Sequence, residues 1–339
     1  MSHDVRVAGT EIVFGCEPDE TVLDAAERAG FTMPYSCRKG VCSTCEGGLV
    51  AGAADVRGRG PLDGPVDGVL LCRTRPRSDL EIAPQRITRR EPPARRTVTA
   101  KVHKITNPAP DVAVVALRFP TGVRAKFRAG QYLTVALPDG DSRNYSMANP
   151  PHQSDGALLH VRRVPGGRFS GELLDGLSKG DTLQVELPFG EFSLDHESDR
   201  PVVLVTTGTG FAPVKSIVED QIKRGGDRPL HLYWGGRRAE DLYLADLPAQ
   251  WADKHDWFSF TPVLSAPAAE WTGRTGYVHR AVLADHPDLR GHEVYACGSP
   301  AMTAAAREEF VGTAGLAPDR FFSDAFVPSG DAEPVAAAG

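Results

Sequence analysis

Residues 35–45 read YSCRKGVCSTC, and a further cysteine follows in the segment LLCRT, with 26 residues between Cys45 and Cys72. Four of the chain's six cysteines therefore form one group in its first quarter, at Cys37, Cys42, Cys45 and Cys72. A disulfide framework is typical of small secreted domains, so in a chain of this length the group favours metal binding. Cys16 stands apart, and we expect it to be a buried small hydrophobic residue.

The spacing C-x4-C-x2-C-x26-C is that of a plant-type [2Fe-2S] cluster. One loop can bring three thiolates to two irons only if its backbone curls around the inorganic sulfides. Gly40, Ser43 and Thr44 permit that curl and let backbone N–H groups point at the sulfurs. The alternative is a structural zinc site, but zinc ligands usually come as two C-x2-C pairs, and only Cys42 and Cys45 are spaced in that way.

The composition bounds the class of protein. The chain has 339 residues, 41% hydrophobic and 24% charged, which predicts a globular protein of two or three domains. No segment approaches the roughly 18 uncharged apolar residues of a membrane helix, and the first residues do not resemble a signal peptide. The net charge of -6 is mild, and the one basic stretch, residues 86–96, is short. We expect a cytoplasmic monomer that binds neither nucleic acid nor membrane.

A seam divides the chain at residues 87–97, ITRREPPARRT, because two adjacent prolines continue neither a helix nor a central strand. We predict a [2Fe-2S] domain, a linker, a barrel domain, an α/β domain and a flexible tail, with the limits 1–90, 91–97, 98–197, 198–330 and 331–339.

Three kinds of hydrophobic pattern follow one another. In the first domain, residues 5–14 alternate like a strand, and residues 19–30 predict a short helix ended by Gly30. Six alternating segments lie between the seam and about Leu194, which predicts an antiparallel barrel. From Pro201 onward, buried strands alternate with helices, as in a parallel sheet with crossover helices.

In the barrel domain, RNYSMAN (residues 143–149) and HVRRVPGGRFS (residues 160–170) together suggest a flavin site. Arg143 and Tyr145 lie on the same face of a strand. The Tyr145 ring could therefore pack against the flavin while Arg143 binds its phosphates, and Ser146 could make a hydrogen bond near the flavin N5. Taken singly, each segment is better explained as a strand edge or a turn, and only the two together favour a flavin site. The predicted flavin ligands are Arg143, Asn144, Tyr145, Ser146, His160, Val161, Arg162, Gly166, Gly167, Arg168, Phe169 and Ser170.

In the α/β domain, VVLVTTGTGFAP (residues 202–213) places a Gly-rich turn between a buried strand and a helix, which favours binding of a nucleotide phosphate. YACGS (residues 295–299) brings a small residue to the same sheet edge, where a flat ring could lie; simple packing is the alternative for its cysteine. Arg237 and Arg238 could meet an adenosine phosphate or be only solvated. The predicted nucleotide ligands are Thr207, Gly208, Thr209, Gly210, Pro213, Arg237, Cys297 and Gly298.

In this order, the motifs resemble the ferredoxin-NADP reductase superfamily, in the oxygenase-reductase arrangement with an N-terminal plant-type ferredoxin domain. The resemblance implies a β-grasp ferredoxin domain, an antiparallel β-barrel FAD domain and a Rossmann-like NAD(P) domain, a multi-domain combination of α+β and α/β folds. It also implies that Tyr145, Ser146 and Cys297 act at the reacting rings. Phe326 is our candidate for the aromatic residue that relatives place beside the flavin, with a plain core residue as the alternative.

Electron counting then predicts the reaction. NAD(P)H gives up two electrons together as a hydride, whereas an iron-sulfur cluster accepts one electron at a time. A flavin can accept the hydride and then release its electrons singly. The expected path runs from NADH or NADPH through FAD and the [2Fe-2S] cluster to a partner protein.

The resemblance suggests two kinds of partner. KFRAGQYL (residues 126–133) and SRNYSMANPPHQSDG (residues 142–156) are similar to reductase components of terephthalate 1,2-dioxygenase, which implies a Rieske-type terminal oxygenase. WTGRTGYVH (residues 271–279) and FFSDAFVPS (residues 321–329) look more like CDP-6-deoxyglucoseen reductases of deoxysugar synthesis. A non-catalytic zinc-bearing binding module is a third possibility, which the two downstream domains disfavour.

Overall fold

The structure is a computed structural model of the chain, and it describes residues 2–40, 42–89, 94–138, 140–164 and 168–326. These residues form two compact units, one up to residue 89 and the other from residue 94 onward. The predicted flavin ligands Gly166 and Gly167, part of the predicted linker and the whole predicted tail lie outside the described residues. In the described part of the chain, every helix is too short or too polar to cross a membrane.

The first unit is a mixed sheet with one helix packed on it. The main sheet has the strand order β2-β1-β9-β4-β7, and β1 and β9 are parallel. A small sheet, β6-β5-β8, and the pair β3-β10 complete the unit. The elements are β1 (His3–Val7), β2 (Val13–Cys16), α1 (Val22–Arg28), β3 (Phe31–Thr32), β4 (Glu46–Ala51), β5 (Ala53–Val56), β6 (Gly60–Asp63), β7 (Val66–Leu70), β8 (Thr74–Pro76), β9 (Leu80–Pro84) and β10 (Thr88–Arg89).

Helix α1 begins where the sequence provides a cap. The Thr21 hydroxyl accepts a 3.2 Å hydrogen bond from the backbone N–H of Asp24, which satisfies one donor of the first turn. Val22 and Leu23 are fully buried against strand residues such as Ile82. Cys16 is also fully buried in this core, as its isolated position predicts.

The second unit starts with an antiparallel barrel. Its six strands have the order β14-β13-β16-β11-β12-β15, and an isolated bridge between Met147 and Leu159 joins the two outer strands. The side chains inside are mostly aliphatic and buried. The elements are β11 (Arg96–Ala109), β12 (Val112–Arg118), β13 (Tyr132–Ala136), β14 (Ser142–Ser146), β15 (Gly156–Arg162), a turn of π-helix (Arg168–Leu173), α2 (Leu174–Gly176) and β16 (Thr182–Phe189).

A parallel sheet of order β20-β19-β18-β17-β21-β22 follows, with helices on both faces. Val202 and Leu204 of β17 point into the core on one face, and Val203 and Val205 point into the core on the other. Its elements are β17 (Val202–Thr207), α3 (Phe211–Arg224), β18 (Leu230–Gly236), α4 (Asp246–Lys254), β19 (Phe258–Leu264), β20 (Arg274–Thr275), α5 (Val278–Asp285), β21 (Glu293–Gly298), α6 (Pro300–Gly312) and β22 (Phe321–Ala325).

The predicted fold classes are therefore confirmed for all three parts, with one local correction. We predicted a single strand over residues 5–14, but the chain forms the antiparallel hairpin β1–β2 there. The backbone N–H of Val7 donates to the carbonyl of Ile12, and Gly9 takes a positive φ in the turn. Only glycine adopts that turn conformation without strain, so Gly9 breaks the alternating pattern.

Truncation of a barrel core residue should destabilise the second unit alone. Leu133 has no exposed surface, so Leu133→Ala should lower the free energy of unfolding by about 2–5 kcal/mol. All four tryptophans lie in this unit, so urea unfolding followed by tryptophan fluorescence reports on it. Lys104→Ala, at an exposed position of β11, is the matched control and should change the free energy of unfolding by less than about 0.5 kcal/mol. Equal losses in both variants would contradict the assignment of the barrel core.

Candidate functional site

The cysteine loop of the first unit curls as an iron-sulfur loop must. Arg38 and Ser43 have φ values of 52° and 53°, a conformation uncommon outside glycine. This backbone directs N–H groups toward sulfur: Lys39 N lies 3.3 Å from the Cys37 Sγ, and Cys37 N lies 3.5 Å from the Cys42 Sγ. Such bonds stabilise thiolates that coordinate iron.

The four thiols are arranged as two pairs. Cys42 is hydrogen-bonded to Cys37, and Cys45 is hydrogen-bonded to Cys72. These bonds and burial raise the pKa of Cys42 and of Cys45. Within the described ranges, no three metal-binding side chains converge as a single tetrahedral ion requires. The two pairs lie near one another, since Cys45 also acts on Cys42 and Cys37 on Cys45, and together they would supply the four ligands of a two-iron cluster.

Ion pairs attach the loop to helix α1. The Arg38 guanidinium lies 2.6 Å from the Glu27 carboxylate, and it also pairs with Asp24. The same group lies over the Tyr35 ring, 4.2 Å from the ring centroid. Because Arg38 follows Cys37 directly, these contacts fix the first predicted cluster ligand relative to the helix.

In the second unit, an aromatic pair holds the predicted flavin segments together. The Tyr145 ring on β14 lies 4.9 Å from the Phe169 ring, measured between centroids. The backbone N–H of Val164 donates a 3.2 Å hydrogen bond to the Ser170 hydroxyl, which links the end of β15 to the π-helical turn. Phe169 and Val161 are buried in the barrel core, so only their backbone atoms could reach a cofactor.

Two buried polar atoms near this segment have no hydrogen-bond partner among the described residues, the Ser146 hydroxyl and the Nε2 of His160. The other ring nitrogen of His160 lies 2.8 Å from the Tyr243 hydroxyl. Burial lowers the pKa of His160 to about 3, so its ring stays neutral. Buried polar groups are normally paired, so both atoms fit a cofactor that supplies the missing partner.

Arg143 and Asn144 occupy the same strand as the aromatic residue. Arg143 is mostly buried, pairs with Asp141 and donates a 2.8 Å hydrogen bond to the carbonyl of Ser142. Asn144 is half-buried. A buried guanidinium near the start of β14 suits the phosphate groups of FAD, and this role stays a prediction.

The Gly-rich turn lies where the strand β17 meets helix α3. A side chain at Gly210 would meet the backbone oxygen of Cys297 at 2.4 Å, so only glycine fits there. Thr207, Gly208 and Thr209 are partly exposed and can be reached by a ligand, whereas Pro213 is buried in the helix. The turn therefore leaves its backbone open at the start of a helix, as phosphate binding requires.

Cys297 and Gly298 end the neighbouring strand β21. Gly298 has a φ of 140°, and a side chain there would lie 2.3 Å from the Thr207 hydroxyl oxygen. The backbone N–H of Phe326 donates a 2.7 Å hydrogen bond to the Gly298 carbonyl, which places Phe326 at the same edge. Burial raises the pKa of Cys297, so its thiol is neutral and suits packing or positioning, not attack on a substrate.

The sequence reasoning missed Asp241, which organises the end of β18. Its carboxylate accepts hydrogen bonds of 2.7 and 3.0 Å from the backbone N–H groups of Arg237 and Arg238, whose side chains are exposed. It also lies 3.3 Å from the guanidinium of Arg162, which reaches over the turn at Gly208. An acidic residue shortly after the strand that follows a dinucleotide turn was the available signal.

Helix α3 joins the two predicted sites. The Ser216 hydroxyl donates a 2.8 Å hydrogen bond to the carbonyl of Asn149, and Lys215 donates to the carbonyl of Ala148 at 3.3 Å. Both carbonyls lie shortly after Ser146, and the helix starts at the Gly-rich turn. The structure therefore brings the end of β14 to the nucleotide turn within one unit.

Three family models match consecutive parts of the chain. Residues 5–77 match a 2Fe-2S iron-sulfur cluster binding domain. Residues 99–194 match an oxidoreductase FAD-binding domain, and residues 204–308 match an oxidoreductase NAD-binding domain.

Proteins with known roles match over nearly the whole length. The chain is 42% identical to terephthalate 1,2-dioxygenase, reductase component 1, of Comamonas sp, over 97% of this chain and 98% of that protein. It is 38% identical to the CDP-6-deoxy-L-threo-D-glycero-4-hexulose-3-dehydrase reductase of Yersinia pseudotuberculosis, over 97% and 100%. The crystal structure of the Amycolatopsis cytochrome P450 reductase GcoB superposes with a TM-score of 0.76 at 34% identity, covering 96% of this chain and 99% of that one.

The two units thus define a class of protein, the iron-sulfur flavoprotein reductases. The chain belongs to the ferredoxin-NADP reductase superfamily, in the arrangement with an N-terminal ferredoxin domain. It is an NAD(P)H-dependent oxidoreductase whose cofactors are FAD and a [2Fe-2S] cluster. The roles of individual site residues stay predictions.

Gly298→Ala should impair use of NADH. The new methyl group would collide with Thr207, and the positive φ adds strain, together costing about 1–3 kcal/mol. We expect the KM for NADH to rise about tenfold or more in NADH-dependent reduction of ferricyanide, with flavin content unchanged. Gly291→Ala, where a methyl group meets open space, is the control. An unchanged KM in Gly298→Ala would contradict the placement of nicotinamide at this edge.

Proposed function

We propose that the chain is the reductase component of a Rieske-type oxygenase that hydroxylates an aromatic carboxylate, in a system like terephthalate 1,2-dioxygenase. The similarity to two terephthalate 1,2-dioxygenase reductase components, at 42% and 43% identity over 98% of their lengths, carries this proposal. Because reduced nicotinamide is made inside the cell, we place the reaction in the cytoplasm.

The geometry of the described residues supports the roles that we propose for them. When bound, FAD takes an electron pair from NAD(P)H and the cluster passes electrons on singly. Tyr145 would cover one face of the flavin, while Ser146 and His160 would donate hydrogen bonds to its polar edge. The turn at residues 208–210 would hold the nicotinamide nucleotide phosphates, and Gly298 would leave room for the ring. Most of the work is alignment of two rings and exclusion of water, so no residue need act as a nucleophile or general base.

A second candidate is electron supply to a dehydratase of deoxysugar synthesis. The 38% identity to a hexulose-3-dehydrase reductase over its full length favours this function. Both candidates use the same cofactors, so only the electron acceptor separates them. Oxidation of terephthalate on mixing with a candidate oxygenase would select the first.

An anaerobic titration tests the shared part of the proposal. Purified protein should contain iron and flavin, and NADH should bleach the visible bands of both. In Cys72→Ser the cluster bands should be lost while NADH still bleaches the flavin, because the two sites lie in different units. Cys16→Ala, a buried cysteine of the same unit, should keep both sets of bands. Zinc in place of iron, or a flavin that NADH does not bleach, would refute the proposal.

We further propose that NADH is preferred to NADPH. The carboxylate of Asp241 lies beside Arg237 and Arg238, which a 2′-phosphate would otherwise approach. It also forms an ion pair with Arg162. A carboxylate at this end of a dinucleotide-binding sheet accepts a hydrogen bond from a ribose hydroxyl and repels a phosphate.

Asp241→Asn should weaken that preference. Removing the negative charge should shift the NADPH to NADH ratio of kcat/KM toward NADPH by about tenfold. Steady-state reduction of ferricyanide with each nucleotide measures the ratio. Glu240→Gln removes the same charge from the adjacent exposed residue and should leave the ratio within about twofold. A ratio that does not move in Asp241→Asn would exclude this residue as the determinant.

A further inference from the structure

A cleft of about 170 Å³ in the first unit brings four arginines together beside a predicted cluster ligand. Its lining consists of Thr21, Asp24, Arg38, Arg57, Cys72, Arg73 and Arg75. The cleft is strongly positive, because four guanidinium groups face one carboxylate there. This sign is opposite to the net charge of the whole chain, -6.

Strand pairing creates the cluster of arginines. On β5 and β8, Asp55 lies opposite Arg75, and the next residues outward continue the register, with Arg57 N donating a 3.0 Å hydrogen bond to the carbonyl of Arg73. The side chain of Arg73 lies against the cysteine loop, since an added methyl group on Gly40 would be 2.9 Å from it. The arginines therefore sit next to the loop that holds three of the thiols.

Three of these arginines have no ion-pair partner in the described part of the chain. Arg38 is paired with Asp24 and Glu27, but no carboxylate lies within pairing distance of Arg57, Arg73 or Arg75. The nearby Asp55 pairs instead with Arg77, at 3.7 Å. A cluster held by four thiolates carries negative charge and would offset part of this positive charge. The exposed Arg57 and Arg75 still face solvent without a carboxylate partner, which points to an anionic partner.

We propose that this arginine cleft docks an acidic surface of the electron acceptor protein, placing the acceptor next to Cys72. This inference rests on the proposed function and adds the chemistry of the partner's surface. Cys72 is buried but forms part of the cleft wall, so an acceptor seated there approaches the cluster through a single ligand. Short distance favours electron transfer, and opposite charges raise the rate of encounter.

Charge reversal in the cleft tests the inference on the full-length holoprotein. The NADH-reduced protein is mixed in stopped flow with an anionic acceptor, soluble cytochrome b5, and with a cationic one, cytochrome c. Arg57→Glu/Arg75→Glu should slow the reaction with the anionic acceptor about tenfold or more at ~0.02 M ionic strength and speed the reaction with the cationic acceptor. Both effects should fade at ~0.3 M.

Three controls make the result specific. Arg57→Lys/Arg75→Lys keeps the charge and should keep most of the rate. Arg6→Glu/Arg89→Glu makes the same change in net charge at exposed positions outside the cleft and should alter both rates by less than about twofold. In every variant, the iron content and the reduction potential of the cluster should match those of the wild type. If the double reversal loses iron, Arg75→Glu alone replaces it.

Several outcomes would overturn the inference. Equal slowing of both acceptors, at all ionic strengths and with a shifted potential, would mean that the arginines act on the cluster and not on docking. Inhibition of both acceptors by inorganic pyrophosphate at constant ionic strength, abolished in the double reversal, would assign the cleft to a small anion. A wild type that reduces ferricyanide but neither cytochrome would instead count against the proposed function.

Discussion

The hydrogen bond from the Ser216 hydroxyl to the Asn149 carbonyl sets the distance between helix α3 and the loop after β14. The relative position of the two predicted sites in the second unit depends on that distance. Asn149 is itself held by its side chain, which accepts from the N–H of Leu158 at 2.8 Å and donates to the carbonyl of Gln153 at 2.8 Å. The loop after β14 is therefore rigid where helix α3 meets it. Two rings that exchange a hydride need alignment within a fraction of an ångström, and a junction made of paired backbone groups supplies it.

The two units prepare their sites in different ways. In the first, the backbone does the work: positive φ angles at Arg38 and Ser43 turn N–H groups toward sulfur, and ion pairs at Arg38 hold the loop. In the second, the strands and helices are regular. Buried polar atoms such as the Ser146 hydroxyl have no hydrogen-bond partner among the described residues. A cluster is surrounded on most sides by protein, whereas a flavin needs one open face for its substrate. The contrast follows from the chemistry of each cofactor.

Much of this could be predicted from the sequence because the relevant signals are local. The cysteine spacing, the alternating barrel strands and the Gly-rich turn after β17 each lie within one short segment. The hairpin at residues 5–14 was misread because a single residue, Gly9, carries the turn. Helix α5 was not predicted; it is only eight residues long, and Tyr277 before it makes no side-chain cap.

Features made by distant residues could not be predicted in this way. Arg57, Arg73 and Arg75 share a cleft only because β5 pairs with β8, and nothing in their separation along the chain indicates that pairing. The contact of His160 with Tyr243 joins residues 83 positions apart in sequence. Such sites depend on register and domain packing, which periodicity alone does not specify.

The bridge between Met147 and Leu159 has a consequence for behaviour at high concentration. By pairing residues at the two outer strands of the barrel, it shortens the row of free N–H and C=O groups on which another chain could add a strand. At one margin of the parallel sheet, β20 is only two residues long, too short to template such pairing. A shortened barrel edge and a short edge strand both disfavour self-association through added strands at these places.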